Sequence, residues 1–171
     1  SSNYLIQNLK NIQIYKSISA QEIENSFFSK NLKKSITDQF SDDEIQLMKS
    51  DLVISNATIE HVGNFENQIN MIRNMVLLSK KFFVITTPNR YHPIDFHTKV
   101  PFLHWLPKRI HRKILKLFSL EFFSKEENLN LLSKKNLKIA LEKSNVTDYK
   151  FFDISLLGFK SNIIIIGKTN N

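Results

Sequence analysis

The sequence predicts an α/β domain built on a parallel sheet, and three features of the chain lead there. The runs Asp51-Leu-Val-Ile-Ser-Asn56 and Lys81-Phe-Phe-Val-Ile-Thr-Thr-Pro-Asn-Arg90 are apolar and rich in β-branched or aromatic residues, the composition of strands. Between them Phe65, Ile69, Ile72, Val76, Leu77 and Leu78 recur at steps of three and four, the spacing of a helix. Near the end, two more apolar runs, residues 149–156 and 162–167, flank a link containing Gly158, which suggests a hairpin that adds an antiparallel strand. Continuous apolar strands separated by a helix form parallel pairs buried on both faces. Such sheets bind ligands beyond the carboxyl ends of their strands. Ser55, Asn56 and the polar residues 86–90 therefore fall where a site is expected.

Composition narrows the function. A chain of 171 residues is one domain by length, residues 1–171. Apolar residues make up 42% of it, and 14 phenylalanines lead to the expectation of an aromatic core. The absence of cysteine excludes disulfides, thiolate zinc sites and a cysteine nucleophile, and it fits a reducing cytoplasm. No run approaches the roughly 18 apolar residues of a membrane span, and the start has no signal-peptide pattern. The net charge of +8 favours an anionic partner such as a lipid surface, a nucleic acid or a phosphorylated substrate, or it reflects a general bias toward lysine. The three glycines are Gly63, Gly158 and Gly167. None forms the glycine-rich turn that nucleotide-binding α/β domains carry after their first strand.

Residues 4–10 have weak helical spacing and read as the end of a helix, and residues 11–15 alternate like a strand. Residues 17–26 are polar, a loop or short helix with Ala20, Ile23 and Phe27 to one side. Residues 32–38 hold a short strand ending at Ile36-Thr-Asp38. Ser41 followed by Asp42, Asp43 and Glu44 is a helix start, or an exposed turn because Asp51 opens the next strand so soon. Residues 64–80 are the clearest helix, with Asn64 as its cap and Lys80 and Lys81 at the end where the macrodipole favours positive charge. Pro93, Pro101 and Pro107 then punctuate an irregular stretch containing His92, His97, His104 and Trp105. Residues 108–118 form a basic amphipathic helix with Ile110, Ile114, Leu115 and Phe118 on one face. Ser124-Lys-Glu-Glu127 has the form of a capping box introducing residues 128–132. Ser133 starts a helix through Lys143, with Leu137, Ala140 and Leu141 inward.

Residues 51–62 resemble the fourth strand and following turn of class I S-adenosylmethionine-dependent methyltransferases. The pattern is an acidic residue, an apolar strand, small or polar residues, then an apolar-Glu-His-apolar tetrad, here Ile59-Glu-His-Val62. Residues 81–90 resemble the fifth strand, which in the methyltransferase 11-like branch often ends in Thr-Pro-Asn-Arg, here Thr87-Pro-Asn-Arg90. The closing hairpin resembles strands six and seven, so the resemblance covers residues 11–168. It implies a Rossmann-like class I methyltransferase sheet of order 3-2-1-4-5-7-6, with helices on both faces and a C-terminal antiparallel hairpin. It implies S-adenosyl-L-methionine as cofactor and methyl transfer to a small-molecule or lipid-linked acceptor. It also accounts for the glycines. The family's glycine-rich loop follows strand one, and with residues 11–15 as strand two, strand one and its loop are expected to be missing. Two other readings stay open: a relative that keeps the fold and binds without catalysis, and a membrane-surface module.

The resemblance also implies site residues. The family's acidic residue at the end of strand two has no counterpart in Lys16-Ser-Ile-Ser19; Ser17 and Ser19 are weak substitutes or ordinary loop serines, and the next carboxylate is Glu22. Asp38 matches the acidic residue that contacts the adenine amino group, with Gln39 and Phe40 beside the ring; an ionised carboxylate accepts only, which suits an amine donor. Ser55 and Asn56 face the methionine part of the cofactor, and Glu60 joins the cofactor-binding set. His61 is the candidate general base, or else a histidine satisfied at a helix start beside a first-turn Glu60. Helix neighbours diverge by about 100°, so Glu60 and His61 share a pocket only on an irregular turn. Asn89, Arg90, Tyr91 and His92 follow strand five, where acceptors bind, and Arg90 suits a carboxylate or phosphate. No metal site is expected, since His92 and His97 span a proline and lack a third ligand. Residues 91–132 read as a lid. The aromatic and basic residues 91–116 suit peripheral contact with anionic membrane. Nucleic acid is not expected, because the basic residues form one helix with no reading motif.

Overall fold

A computed structural model of the protein describes residues 16–22 and 28–169. The expected helix end at residues 4–10, the strand at residues 11–15, and Ile23 and Phe27 lie outside the described residues. The chain forms β1 (Lys16–Ser19), β2 (Lys30–Lys33), α1 (Asp42–Met48), β3 (Ser50–Asn56), α2 (Phe65–Leu78) and β4 (Ser79–Pro88). Then come α3 (Lys108–Leu117), α4 (Glu121–Ser124), α5 (Lys134–Lys143), β5 (Tyr149–Leu156) and β6 (Phe159–Lys168).

The main sheet has the order β3-β4-β6-β5. β3 runs parallel to β4, and β6 is antiparallel to both its neighbours. This is the 4-5-7-6 half of the expected order, reversed strand included. β1 and β2 form a separate parallel pair. Among the described residues no ladder joins β1 to β3, and each pairs on one side only.

Local chemistry sets most boundaries. Ser41 and Glu44 complete a reciprocal capping box, so the acidic turn is a helix. Asn64 caps α2 by accepting from the Asn67 amide, and Ser133 caps α5 by accepting from the Asn136 amide. Three expectations are corrected nearby. Lys16–Ser19 is a strand rather than a loop. The strand expected over residues 32–38 ends at Lys33, where a turn closes with the Asp38 amide on the Ser35 carbonyl. Lys80 and Lys81 belong to β4, since the chain passes from α2 into the strand without a loop.

Two further corrections concern residues 108–132. Ser124 donates its hydroxyl to the Glu121 carbonyl and closes α4, and residues 128–132 are not helical. α3 turns His111 and Leu115 inward, while Ile110 and Phe118 are exposed. The tight two-residue hairpin turn, Leu157–Gly158, has positive φ at both positions, as a type I′ turn needs. With so few glycines, other corners are turned by residues that carry side chains: Ala57 (φ 49°), Lys99 (φ 58°) and Phe102 (φ 59°) adopt the left-handed conformation.

One face of the main sheet is covered. Val53, Phe83, Ile85, Ile163, Ile165 and Phe151 pack with Ile69, Ile72 and Met75 of α2 and Leu137, Ala140 and Leu141 of α5 in one core. The opposite face presents Leu52, Ile54, Phe82, Phe152, Ile154 and Ile166, all exposed. The expected helices on both faces are thus found on one face among the described residues. An apolar strand shows that both its faces can be buried, and its neighbours decide which one is.

Candidate functional site

The site lies beyond the carboxyl ends of β3 and β4, where three loops converge. Ile59–His61 forms a single 3-10 turn rather than an α-helix. That irregular turn lets adjacent side chains face one place. Glu60 is wholly buried; its Oε2 accepts a hydrogen bond from the Thr87 hydroxyl of β4 (2.8 Å), and its Oε1 has no hydrogen-bond partner. Burial pushes the Glu60 carboxyl above its ordinary range, against the lowering effect of Thr87 and the two neighbouring histidines. His61 Nδ1 donates to the Asn128 carbonyl (2.6 Å), and its Nε2 lies 3.1 Å from Nε2 of His97 and 4.0 Å from Glu60 Oε1.

His97 is oriented in turn by Asp95. Its Nδ1 donates to Asp95 Oδ1 (3.2 Å), and Thr98 donates to the other carboxylate oxygen (2.7 Å). Burial alone would raise the Asp95 pKa, but these hydrogen bonds outweigh it and hold the carboxyl at about 2. The hydrogen bond to Asp95 pushes the His97 pKa upward.

A buried amide network fixes the floor. Gln68 Nε2 donates to the carbonyls of Ile59 and Asn130, Asn130 Nδ2 donates to the Gly63 carbonyl, and the Asn130 amide donates to the Glu60 carbonyl. Next to this floor is a basic pocket lined by Arg90, His104, Lys108, His111, Arg112 and Phe123. Lys108 reaches Asn130 Oδ1, and burial lowers its pKa. Arg112 pairs with Glu126 at 3.1 Å. Phe123 borders both the pocket and the His97 ring, with centroids 6.2 Å apart.

The other candidates are distributed as follows. Asp38 and Gln39 are exposed, and the Asp38 carbonyl accepts from Asn74 of α2 (2.8 Å). Phe40 lies under the Lys34 ammonium, 5.0 Å from the ring centre. Ser55 Oγ is buried without a hydrogen-bond partner, and Asn56 accepts from the Thr86 hydroxyl. Asn89 ties the end of β4 to β6 through the Lys160 and Ser161 carbonyls. Tyr91 is exposed; His92 is buried, its carbonyl accepting from His104 and Trp105. Of these four, Arg90 reaches the basic pocket. The sequence reading sets His97 beside His92, whereas the fold sets it against His61 and Glu60. Sequence reasoning missed Thr87, Asp95 and Asn130 as partners; Asp95-Phe-His97 is the local signal that could have shown an oriented histidine.

No family model and no curated protein matches the sequence. Solved structures do resemble the fold. A "possible exported protein" from Bordetella parapertussis is 13% identical, with 82% of this chain and 44% of that chain covered and a TM-score of 0.51. A protein named as a Zn-dependent alcohol dehydrogenase from Rhodobacter sphaeroides is 12% identical, with 80% and 64% covered and a TM-score of 0.53. Magnesium protoporphyrin IX methyltransferase from Synechocystis PCC 6803, with bound SAH, is 12% identical, with 82% and 50% covered and a TM-score of 0.46. The chain spans less than two thirds of the length of each. The first and second of these establish likeness of fold alone, and the strand order with its reversed β6 makes that fold specific. The chain has a Rossmann-like α/β fold, and its main sheet, β3-β4-β6-β5 with β6 reversed, has the order that the sequence resemblance implies for strands four to seven.

Proposed function

We propose that the protein transfers a methyl group from S-adenosyl-L-methionine to an acceptor that is a small molecule or a lipid-linked group. The observation that carries this reading is the placement of Glu60, His61 and Arg90 just past the carboxyl ends of β3 and β4, with Ser55 near the end of β3 itself, in a sheet of the order that the resemblance implies for strands four to seven. The bound cofactor supplies an electrophilic methyl group on a sulfonium. Ser55 Oγ, buried without a hydrogen-bond partner at the end of β3, fits a group that faces a ligand there. Asp38, Gln39, Phe40 and Asn56 would complete the cofactor contacts. No carboxylate closes β1; Glu22 is exposed and lies 3.7 Å from Lys33.

On this reading the acceptor's nucleophilic atom loses its proton to Nε2 of His61, which the Asn128 carbonyl holds in the right tautomer. Arg90, Lys108 and Arg112 hold an anionic group of the acceptor. Residues 91–132 cover the acceptor and exclude water. Proximity and alignment supply most of the rate in such a reaction. Calorimetric titration of S-adenosylhomocysteine into the chain is the test. Binding is expected, and Asp38→Asn should weaken it about tenfold through loss of a charge-assisted hydrogen bond. A folded chain with no affinity defeats the reading.

A second observation favours peripheral contact with an anionic membrane. Phe102, Trp105, Ile110, Leu117 and Phe118 are exposed beside the exposed Arg109, Lys113 and Lys116. No helix among the described residues is long and apolar enough to cross a membrane. Sedimentation with phosphatidylserine vesicles should exceed that with neutral vesicles and fall with salt; equal sedimentation defeats this contact.

A further inference from the structure

We propose that Glu60, His61 and His97 bind one divalent transition-metal ion, with Oε1 of Glu60 and Nε2 of both histidines as ligands and an open position toward solvent. The three ligand atoms lie within 4.8 Å of one another. The hydrogen bonds behind them fix which nitrogens face inward. His61 Nδ1 meets a backbone carbonyl, which only accepts, so Nδ1 carries the proton and Nε2 presents a lone pair. His97 Nδ1 meets the Asp95 carboxylate, so in the neutral ring its Nε2 presents a lone pair as well. Two lone pairs therefore confront each other at 3.1 Å, a repulsive contact unless a cation sits against both. Oε1 of the wholly buried Glu60 is a third donor atom without a counterpart.

The surroundings match those of a metal ligand set. A ligating histidine usually donates its far N–H to a carbonyl or carboxylate, which fixes the ring, and both rings here do so. Tetrahedral ligands about 2.0–2.1 Å from zinc stand about 3.3 Å apart. The two histidine nitrogens are already near that spacing, and Glu60 Oε1, 4.0 Å from His61 Nε2 and within 4.8 Å of the His97 ligand atom, needs to move in by about 0.7–1.5 Å. Two imidazoles and one carboxylate select zinc, iron or cobalt over magnesium and calcium, which want oxygen ligands. The His61 side chain is 37% exposed, which leaves the remaining coordination position reachable from outside. The site stands on these side chains and does not presuppose methyl transfer; Nε2 of His61 has one lone pair, so it holds the metal or takes the acceptor's proton, and the proton-accepting role belongs to the metal-free chain.

A proton shared between the rings would relieve the same repulsion, so metal must be measured directly. Zinc chloride titrated calorimetrically into the full chain should bind at one equivalent that excess magnesium does not displace. His61→Ala, His97→Ala and Glu60→Gln should each weaken binding by about tenfold or more. Circular dichroism checks that each variant folds; where one does not, zinc-induced shifts of the two Nε2 resonances in the wild-type chain give the answer. A folded wild-type chain that binds no zinc, or binds it equally after all three substitutions, overturns the site. Neither result bears on S-adenosylhomocysteine binding, so the two readings fail separately.

Discussion

The two faces of the main sheet are built from the same kinds of residue and have opposite fates. On the covered face Phe83, Ile85 and Ile165 are 0% exposed. On the other, Ile54 is 40% exposed, Phe82 43% and Phe152 48%. The two sets alternate along the same strands, so propensity and hydrophobicity cannot separate them. What differs is the neighbour: α2 and α5 lie over one set, and no described helix lies over the other. A run such as Leu-Val-Ile therefore states a capacity for burial, and the packing of other elements decides where it is realised.

The contrast should appear first in stability. Ile85→Ala on the covered face should cost about 2–5 kcal/mol in urea unfolding. Gly167→Ala comes next. A Cβ at Gly167 would stand 2.2 Å from the Phe83 ring, which is fully buried and opposite it in the β4–β6 pair, so about 1–3 kcal/mol should be lost. Phe83→Leu in the same chain should recover part of that loss.

Buried and exposed sides of α3 give a third, smaller test. Burial pushes His111 down to about 4, with Asp95, His104, Arg90 and Arg112 as its charged neighbours. The unfolded chain takes up a proton near 6.5 that the folded chain refuses until about 4. Its stabilising contribution is thus present above pH 6.5 and lost as pH falls toward 4. The loss should be on the order of 2 kcal/mol after allowance for screening, and His111→Gln should flatten it in urea midpoints taken between pH 7 and pH 4.5. The smallest effect belongs to the open face: Ile54→Ala should cost under about 1 kcal/mol. A cost matching that of Ile85→Ala would mean that something covers this face in solution.

Much of the fold is legible in the sequence where a signal is local. Asn64 and Ser133 announce their helices, Leu157–Gly158 its hairpin, and the paired apolar runs their parallel strands. α3 is misread because Ile110 and Phe118 outrank His111 on any hydrophobicity scale, while the fold buries the histidine beside Leu115. The site is half legible. Glu60 and His61 stand together in the tetrad, but Thr87 lies 27 residues further on and His97 lies 36 from His61, and only the sheet brings them together. Nor does any periodicity show that Ile59–His61 is a 3-10 turn, which buries Glu60 while His61 beside it stays within 4.0 Å of its carboxylate.

The scarcity of glycine has a consequence at this site. Ala57 stands at the exit from β3, and Lys99 and Phe102 turn the chain just after His97. Glycine at such corners would leave the loops many conformations, whereas a residue with a side chain has few others available. The corners around Glu60, His61 and His97 are therefore stiff. The entropy of holding these side chains together is lost when the chain folds, not when a ligand arrives. Preorganisation of this kind couples affinity to fold stability, so conditions that loosen the fold will weaken binding before the chain unfolds.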